Sequence, residues 1–177
     1  GTGTAIRLDL EGFTTNDIGM VGALYAVGVM LGTLVVPKII GKVGHIRVFA
    51  AFACVFLITA LSQSLYVGVV AWAALRLLAG FCIAGILTLA EGWINESTSN
   101  VRGQALSIYV AVNYLGISMG QGMIAVIDPA NMLIFIVGAM LISISVVPLT
   151  LANVQAPLPV ESERFKIKRL FRGSPLG

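Results

Sequence analysis

The chain has 177 residues, of which 58% are hydrophobic and 11% charged, and its mean hydropathy is +0.97. Soluble domains carry about 25% charged residues, and 11 Lys+Arg with 8 Asp+Glu cannot coat a water-facing surface of this size. This balance excludes a soluble globular domain, a disordered chain and a conventional nucleic-acid binder, and it makes a lipid bilayer the solvent.

A transmembrane helix needs about 20 consecutive apolar residues. No initiator methionine or signal-peptide pattern opens the chain, and residues 1–8 are read as the outer end of a preceding span cut upstream. Residues 18–37 carry no charge and are followed by Lys38 and Lys42, which predicts a first complete span over about 17–38. The next uncharged stretch runs from 48 to 75, then meets Arg76 and continues to 90. It is too long for one span. Its most polar uncharged point, Ser62-Gln63-Ser64, predicts a tight hairpin between spans over about 46–65 and 66–93. A further span is predicted over about 102–127, ended by Asp128-Pro129. The last covers about 131–152, before Pro157 and Pro159.

Runs this long and non-alternating are helices, because in hydrocarbon only helices and closed barrels satisfy their own backbone. The expected fold is therefore all-α: a polytopic bundle over residues 1–152, then a basic linker over 153–177. The tail interleaves Phe165, Ile167, Leu170 and Phe171 with Arg164, Lys166, Lys168, Arg169 and Arg172. Two readings stay open for it, an amphipathic segment on anionic lipid and a solvated linker. Ser174-Pro175 is a helix-start signal, so the chain reads as a fragment at both ends.

Lys and Arg set the orientation. Alternating the span ends collects Lys38, Lys42, Arg47, Arg102 and the tail cations on one side. The other side holds Arg7 with Asp9, Glu11, Asp17 and Asp128. The basic side is expected to be cytoplasmic. Cys54 and Cys82 lie in apolar runs and suggest neither a disulfide framework nor, with His45 as the single histidine, a metal site.

Arg76 is the most informative residue. It is expected about 13 Å into its helix, near mid-membrane, where arginine costs about 2.5–3.5 kcal/mol and must face the bundle interior or a wet cavity. Two roles are open: a structural cation holding helices together, and a substrate- or proton-linked cation in a transport path. Tyr25, Tyr109, Asn113, Tyr114, Ser118 and Gln121 are polar residues on neighbouring spans that would form a pocket wall opposite it, although each alone reads as interhelical glue. Gly28 and Gly32, Gly80 with Ala84, and Gly116 and Gly120 recur at four-residue spacing, a pattern for close helix packing. Glu91 is expected at the membrane edge, paired with Lys42 or Arg47 in a structural or gating contact.

Several of these residues fall into an ordered set of motifs. The loop after the first complete span reads Pro37-Lys38-Ile39-Ile40-Gly41-Lys42-Val43-Gly44-His45-Ile46-Arg47. Arg76-Leu77-Leu78-Ala79-Gly80 and Arg102-Gly103 follow, then Gly116-Ile117-Ser118-Met119-Gly120-Gln121. In order, spacing and sidedness the chain resembles the N-terminal six-helix half of a major facilitator superfamily transporter, with most of the first helix missing, and within that family the bacterial YcaD-like group. Lys42 and Gly44 match the family's inner loop; Pro37 and Gly41 stand where a glycine and an aspartate are usual. Gln121 stands where proton antiporters carry proline.

The resemblance implies two six-helix halves around a central site open to each side in turn. The first, second, fourth and fifth helices would line it, and the third and sixth would mostly face lipid or the rim. It places Tyr25, Arg76, Tyr109 and Asn113 towards the cavity, and Lys42, Gly44, Arg47, Glu91 and Arg102 at the cytoplasmic gate. The implied activity is secondary active transport of a small solute, coupled to an ion gradient with the proton as coupling ion, in a bacterial inner membrane. Membrane lipids and the C-terminal half of the same protein are the implied partners. No cofactor and no nucleic acid are expected. A polytopic membrane enzyme and a non-transporting scaffold are the rival readings, although no catalytic constellation is visible in the sequence.

Overall fold

A computed structural model describes residues 2–97, 101–127 and 133–151. The described residues form the helices α1 (Thr2–Leu10), α2 (Thr15–Val43), α3 (His45–Leu65), α4 (Val69–Ser97), α5 (Arg102–Val126) and α6 (Leu133–Leu151). By length and composition α2, α3 and α4, the last as far as Asn95, can each cross a membrane. Phe135–Val147 within α6 is a shorter apolar stretch. Asn113 and Gln121 interrupt the apolar run of α5.

The helix boundaries have local causes. A capping box opens α2: the Thr14 hydroxyl oxygen accepts from the Asp17 backbone N–H, and the Asp17 carboxylate accepts from the Thr14 backbone N–H. The helix continues through Pro37 to Val43, further than the predicted end near 38. A proline removes one backbone donor, which a membrane helix tolerates where its neighbours compensate. Gly44 is the whole connection to α3, at φ +93°. Its N–H donates to the Ile40 carbonyl at 2.9 Å, and its own carbonyl accepts from Val48 at 3.2 Å. A side chain is strained at such a φ, which explains a glycine in this loop motif.

The hairpin between α3 and α4 falls at residues 66–68, not at Ser62-Gln63-Ser64, which closes the last turns of α3. The Ser64 hydroxyl donates back to the Leu61 carbonyl at 2.7 Å, and Gln63 is buried. Small polar residues can satisfy themselves against their own helix in this way, so polarity alone did not mark the turn. Trp72 fastens the real turn, with its indole N–H donating to the Tyr66 carbonyl at 2.7 Å.

Two apolar clusters hold the bundle, one at each end. Leu8, Val21, Trp72 and Ala73 form the first, with Phe135 packed against it; the Trp72 and Phe135 rings meet edge-on at 5.6 Å. The second joins Val36, Ile40, Val48 and Leu89, beside the Phe52–Phe81 and Phe49–Trp93 ring pairs at 5.7 and 5.9 Å. The first cluster unites the starts of α2, α4 and α6, and the second unites the ends of α2 and α4 with the start of α3. Successive helices therefore alternate in direction.

The closest contact lies between α2 and α4, and glycines permit it. A Cβ at Gly28 would overlap the Leu77 carbonyl oxygen, and one at Gly80 would overlap that of Tyr25. At Gly32 it would lie 2.7 Å from the Ala84 Cβ. Gly116 and Gly120 differ: a Cβ at either would meet nothing within 4 Å among the described residues. Among the described residues no helix is seated on them, unlike Gly28, Gly32 and Gly80. Spacing alone cannot distinguish a glycine under a neighbouring backbone from one facing open space.

Candidate functional site

Since α4 begins at Val69, Arg76 lies about 10 Å into the helix at 1.5 Å per residue, slightly nearer its start than expected. The Arg76 guanidinium carbon stands 5.5 Å from the centroid of the Tyr25 ring on α2. That is cation–π distance, worth about 0.5–2 kcal/mol depending on desolvation. The contact rests on the α2–α4 approach, because Gly80 lies against the Tyr25 backbone one turn along from Arg76.

Arg76 borders two cavities. The larger is about 580 Å³, and its lining includes Thr59 and Gln63 of α3, Gln121 of α5 and Phe135 of α6. The smaller is about 290 Å³ and is bounded chiefly by α1 and α2, including Tyr25. Thr2, Thr4 and Arg76 belong to both. The larger cavity lies at the end of the bundle where α3 and α5 finish and α4 and α6 begin. Among the described lining residues of the two cavities, Arg76 alone carries a formal charge.

The sequence-predicted residues divide. Arg76, Tyr25 and Gln121 reach a cavity, and Gly116 and Gly120 lie in the wall of the larger one. Tyr109 and Asn113 are half-buried on the same helix but line neither. The Tyr109 hydroxyl is buried without a hydrogen-bond partner among the described residues, and Glu91 lies within electrostatic range of it. The pocket wall predicted from α5 is therefore split: its C-terminal part faces the cavity and its N-terminal part lies nearer the end of α4.

The larger cavity also draws on α3 and α6 and on no residue of α2, against the expectation that the third and sixth helices stay at the rim. The reason is that α3 and α6 pack on each other and close the cavity's flank. Thr59 and Gln63 are among the polar cavity residues that sequence reasoning missed. Their i, i+4 spacing on one helix face was the available signal, obscured by assigning Gln63 to a turn.

At the other end, Lys42, Arg47 and Glu91 are exposed. Glu91 forms no ion pair with either cation among the described residues, which corrects the predicted pairing. Arg102 instead reaches α4, its Nε donating to the Asn95 side-chain oxygen at 2.8 Å. The ion pair at the opposite end joins Arg7 to Glu11. Asp128-Pro129 and the basic tail over 153–177 lie outside the described residues. No group of three or more metal-ligating side chains occurs among the described residues.

A family model described as Major Facilitator Superfamily matches residues 5–176. The chain belongs to this superfamily. Among curated proteins, it is similar to an uncharacterized MFS-type transporter of Enterobacter sp. (strain 638), 33% identical over 137 residues, covering 76% of this chain and 36% of that protein. An uncharacterized MFS-type transporter of Yersinia pestis (strain Pestoides F) is 31% identical over 115 residues, 64% of this chain and 30% of its own. The uncharacterized MFS-type transporter YcaD of Escherichia fergusonii is 33% identical over 112 residues, 63% and 29% of the two chains. The matched segment is thus about a third of the length of these superfamily relatives. No solved structure matches the chain. Superfamily membership and the apolar helices together make this an integral membrane protein.

Proposed function

We propose that this chain is the N-terminal part of a secondary active transporter that moves a small solute across a bacterial inner membrane by alternating access, with the proton as coupling ion. The observation carrying the reading is Arg76: a cation about 10 Å along an apolar helix, between two cavities, held over the Tyr25 ring. An arginine at that depth is costly unless it serves a wet or polar interior. Superfamily membership supports transport as the use of that interior.

In this reading five spans follow the outer end of an earlier helix, and residues 153–177 form a cytoplasmic basic linker. The charge asymmetry supports placing the larger cavity at the periplasmic end. Lys42, Gly44, Arg47, Glu91 and Arg102 then lie at the cytoplasmic gate, and the C-terminal half of the protein completes the site. The reading assigns no catalytic step to the chain.

The test is solute uptake into proteoliposomes holding the full-length protein under an imposed pH gradient. Arg76→Ala is expected to abolish uptake at normal expression and membrane insertion. Undiminished uptake by that variant would leave Arg76 a structural cation. Uptake indifferent to the gradient would remove proton coupling.

A further inference from the structure

The Tyr109 hydroxyl is buried between helices and makes no hydrogen bond among the described residues. A buried hydroxyl without a partner is costly. Because the oxygen is already shut off from solvent, a group arriving at the outer surface of these helices cannot reach it without a local rearrangement. Its partner is to be sought within the α4–α5 contact itself.

The register of that contact is given by the bond from Arg102 to Asn95. The two helices are antiparallel. Tyr109 lies two turns, about 10 Å, along α5 from Arg102, and Thr88 lies two turns back along α4 from Asn95. Tyr109 thus falls opposite Thr88, with Glu91 on the same face of α4 less than one turn away. The electrostatic contact of Glu91 with Tyr109 agrees with this register. The Thr88 hydroxyl already donates to the Ala84 carbonyl at 2.8 Å. Glu91 is exposed, its ionised carboxylate only accepts, and no ion pair occupies it among the described residues.

We propose that Tyr109 and Glu91 are the two parts of a clasp between α4 and α5 that stands open in this conformation. It closes when the long Glu91 side chain turns in and its carboxylate accepts from the Tyr109 hydroxyl. Such a bond is roughly twice as strong as one to a neutral oxygen, which favours Glu91 over Thr88 as the acceptor. No described residue of α5 is buried, so within these helices one charge-assisted bond is a large share of what holds α5 to α4. The clasp concerns this contact alone and stands or falls independently of solute and transport.

The experiment is hydrogen–deuterium exchange of the full-length protein in lipid nanodiscs, followed at residues 102–110. Tyr109→Phe and Glu91→Ala are each expected to speed exchange there about 10-fold, the worth of a hydrogen bond to a charged group. The double variant should exchange no faster than either single one, since both remove the same bond. Thr88→Val should leave exchange at 102–110 unchanged, and none of the variants should alter α2. Several results overturn the proposal: unchanged exchange in either single variant, a double variant about 100-fold faster, acceleration by Thr88→Val matching that of Tyr109→Phe, or equal acceleration throughout α2. Should Glu91→Ala fail to fold, Glu91→Gln decides. A smaller acceleration that Tyr109→Phe abolishes supports the clasp, and exchange identical to wild type overturns it.

Discussion

The guanidinium of Arg76 and the ring of Tyr25 face each other across the α2–α4 contact at 5.5 Å. Gly80 makes this possible, since its missing side chain brings α4 against the Tyr25 backbone. The Tyr25 ring thus offers its π-face to the Arg76 guanidinium from the neighbouring helix. Tyr25→Phe keeps the π-face and should retain wild-type stability and uptake. Tyr25→Leu should lose about 0.5–2 kcal/mol, read as a lower unfolding midpoint in detergent.

The glycines separate by what lies above them. Gly28→Ala and Gly80→Ala drive a methyl into a backbone carbonyl that has no rotamer to escape through, so each should cost about 1–3 kcal/mol. Gly116→Ala and Gly120→Ala meet open space and should be neutral or stabilising by up to about 1 kcal/mol from helix propensity. Thermal unfolding of the four variants side by side checks the contrast.

Trp72 is fully buried and both packs the first apolar cluster and binds the Tyr66 carbonyl. Trp72→Phe should cost about 1–3 kcal/mol, chiefly from the lost donor. Trp72→Ala should cost about 3–5 kcal/mol from the cavity it leaves. Limited proteolysis at residues 66–68 should quicken in the same order, because Trp72 pins that turn.

Arg102 and Asn95 join the start of α5 to the end of α4. The bond is exposed, so a double-mutant cycle with Arg102→Ala and Asn95→Ala should return no more than about 1 kcal/mol. The corresponding cycle between Glu91 and Lys42 or Arg47 should return no coupling in this state, since no ion pair joins them among the described residues.

Much of the architecture was legible in the chain itself. Charge-free runs separated by Lys and Arg identified the solvent, the helical class and the approximate place of each helix, because hydropathy reports locally whether a segment can sit in lipid. Arg76 was also legible, since a lone cation inside such a run is costly wherever it points. The close-packing role of Gly28, Gly32 and Gly80 followed from the same four-residue spacing that failed for Gly116 and Gly120.

What the tertiary structure alone decided is which face of each helix meets which neighbour. Rotation about a helix axis costs nothing in the sequence pattern when most faces are apolar. It nevertheless determines that Gln63 enters a cavity instead of a turn, and that Gln121 lines that cavity while Tyr109 and Asn113 do not. It also carries Arg102 to Asn95 and leaves Glu91 apart from Lys42 and Arg47. The composition of this chain established a membrane protein. The crossing of α2 and α4 at their glycines determined where Arg76 points.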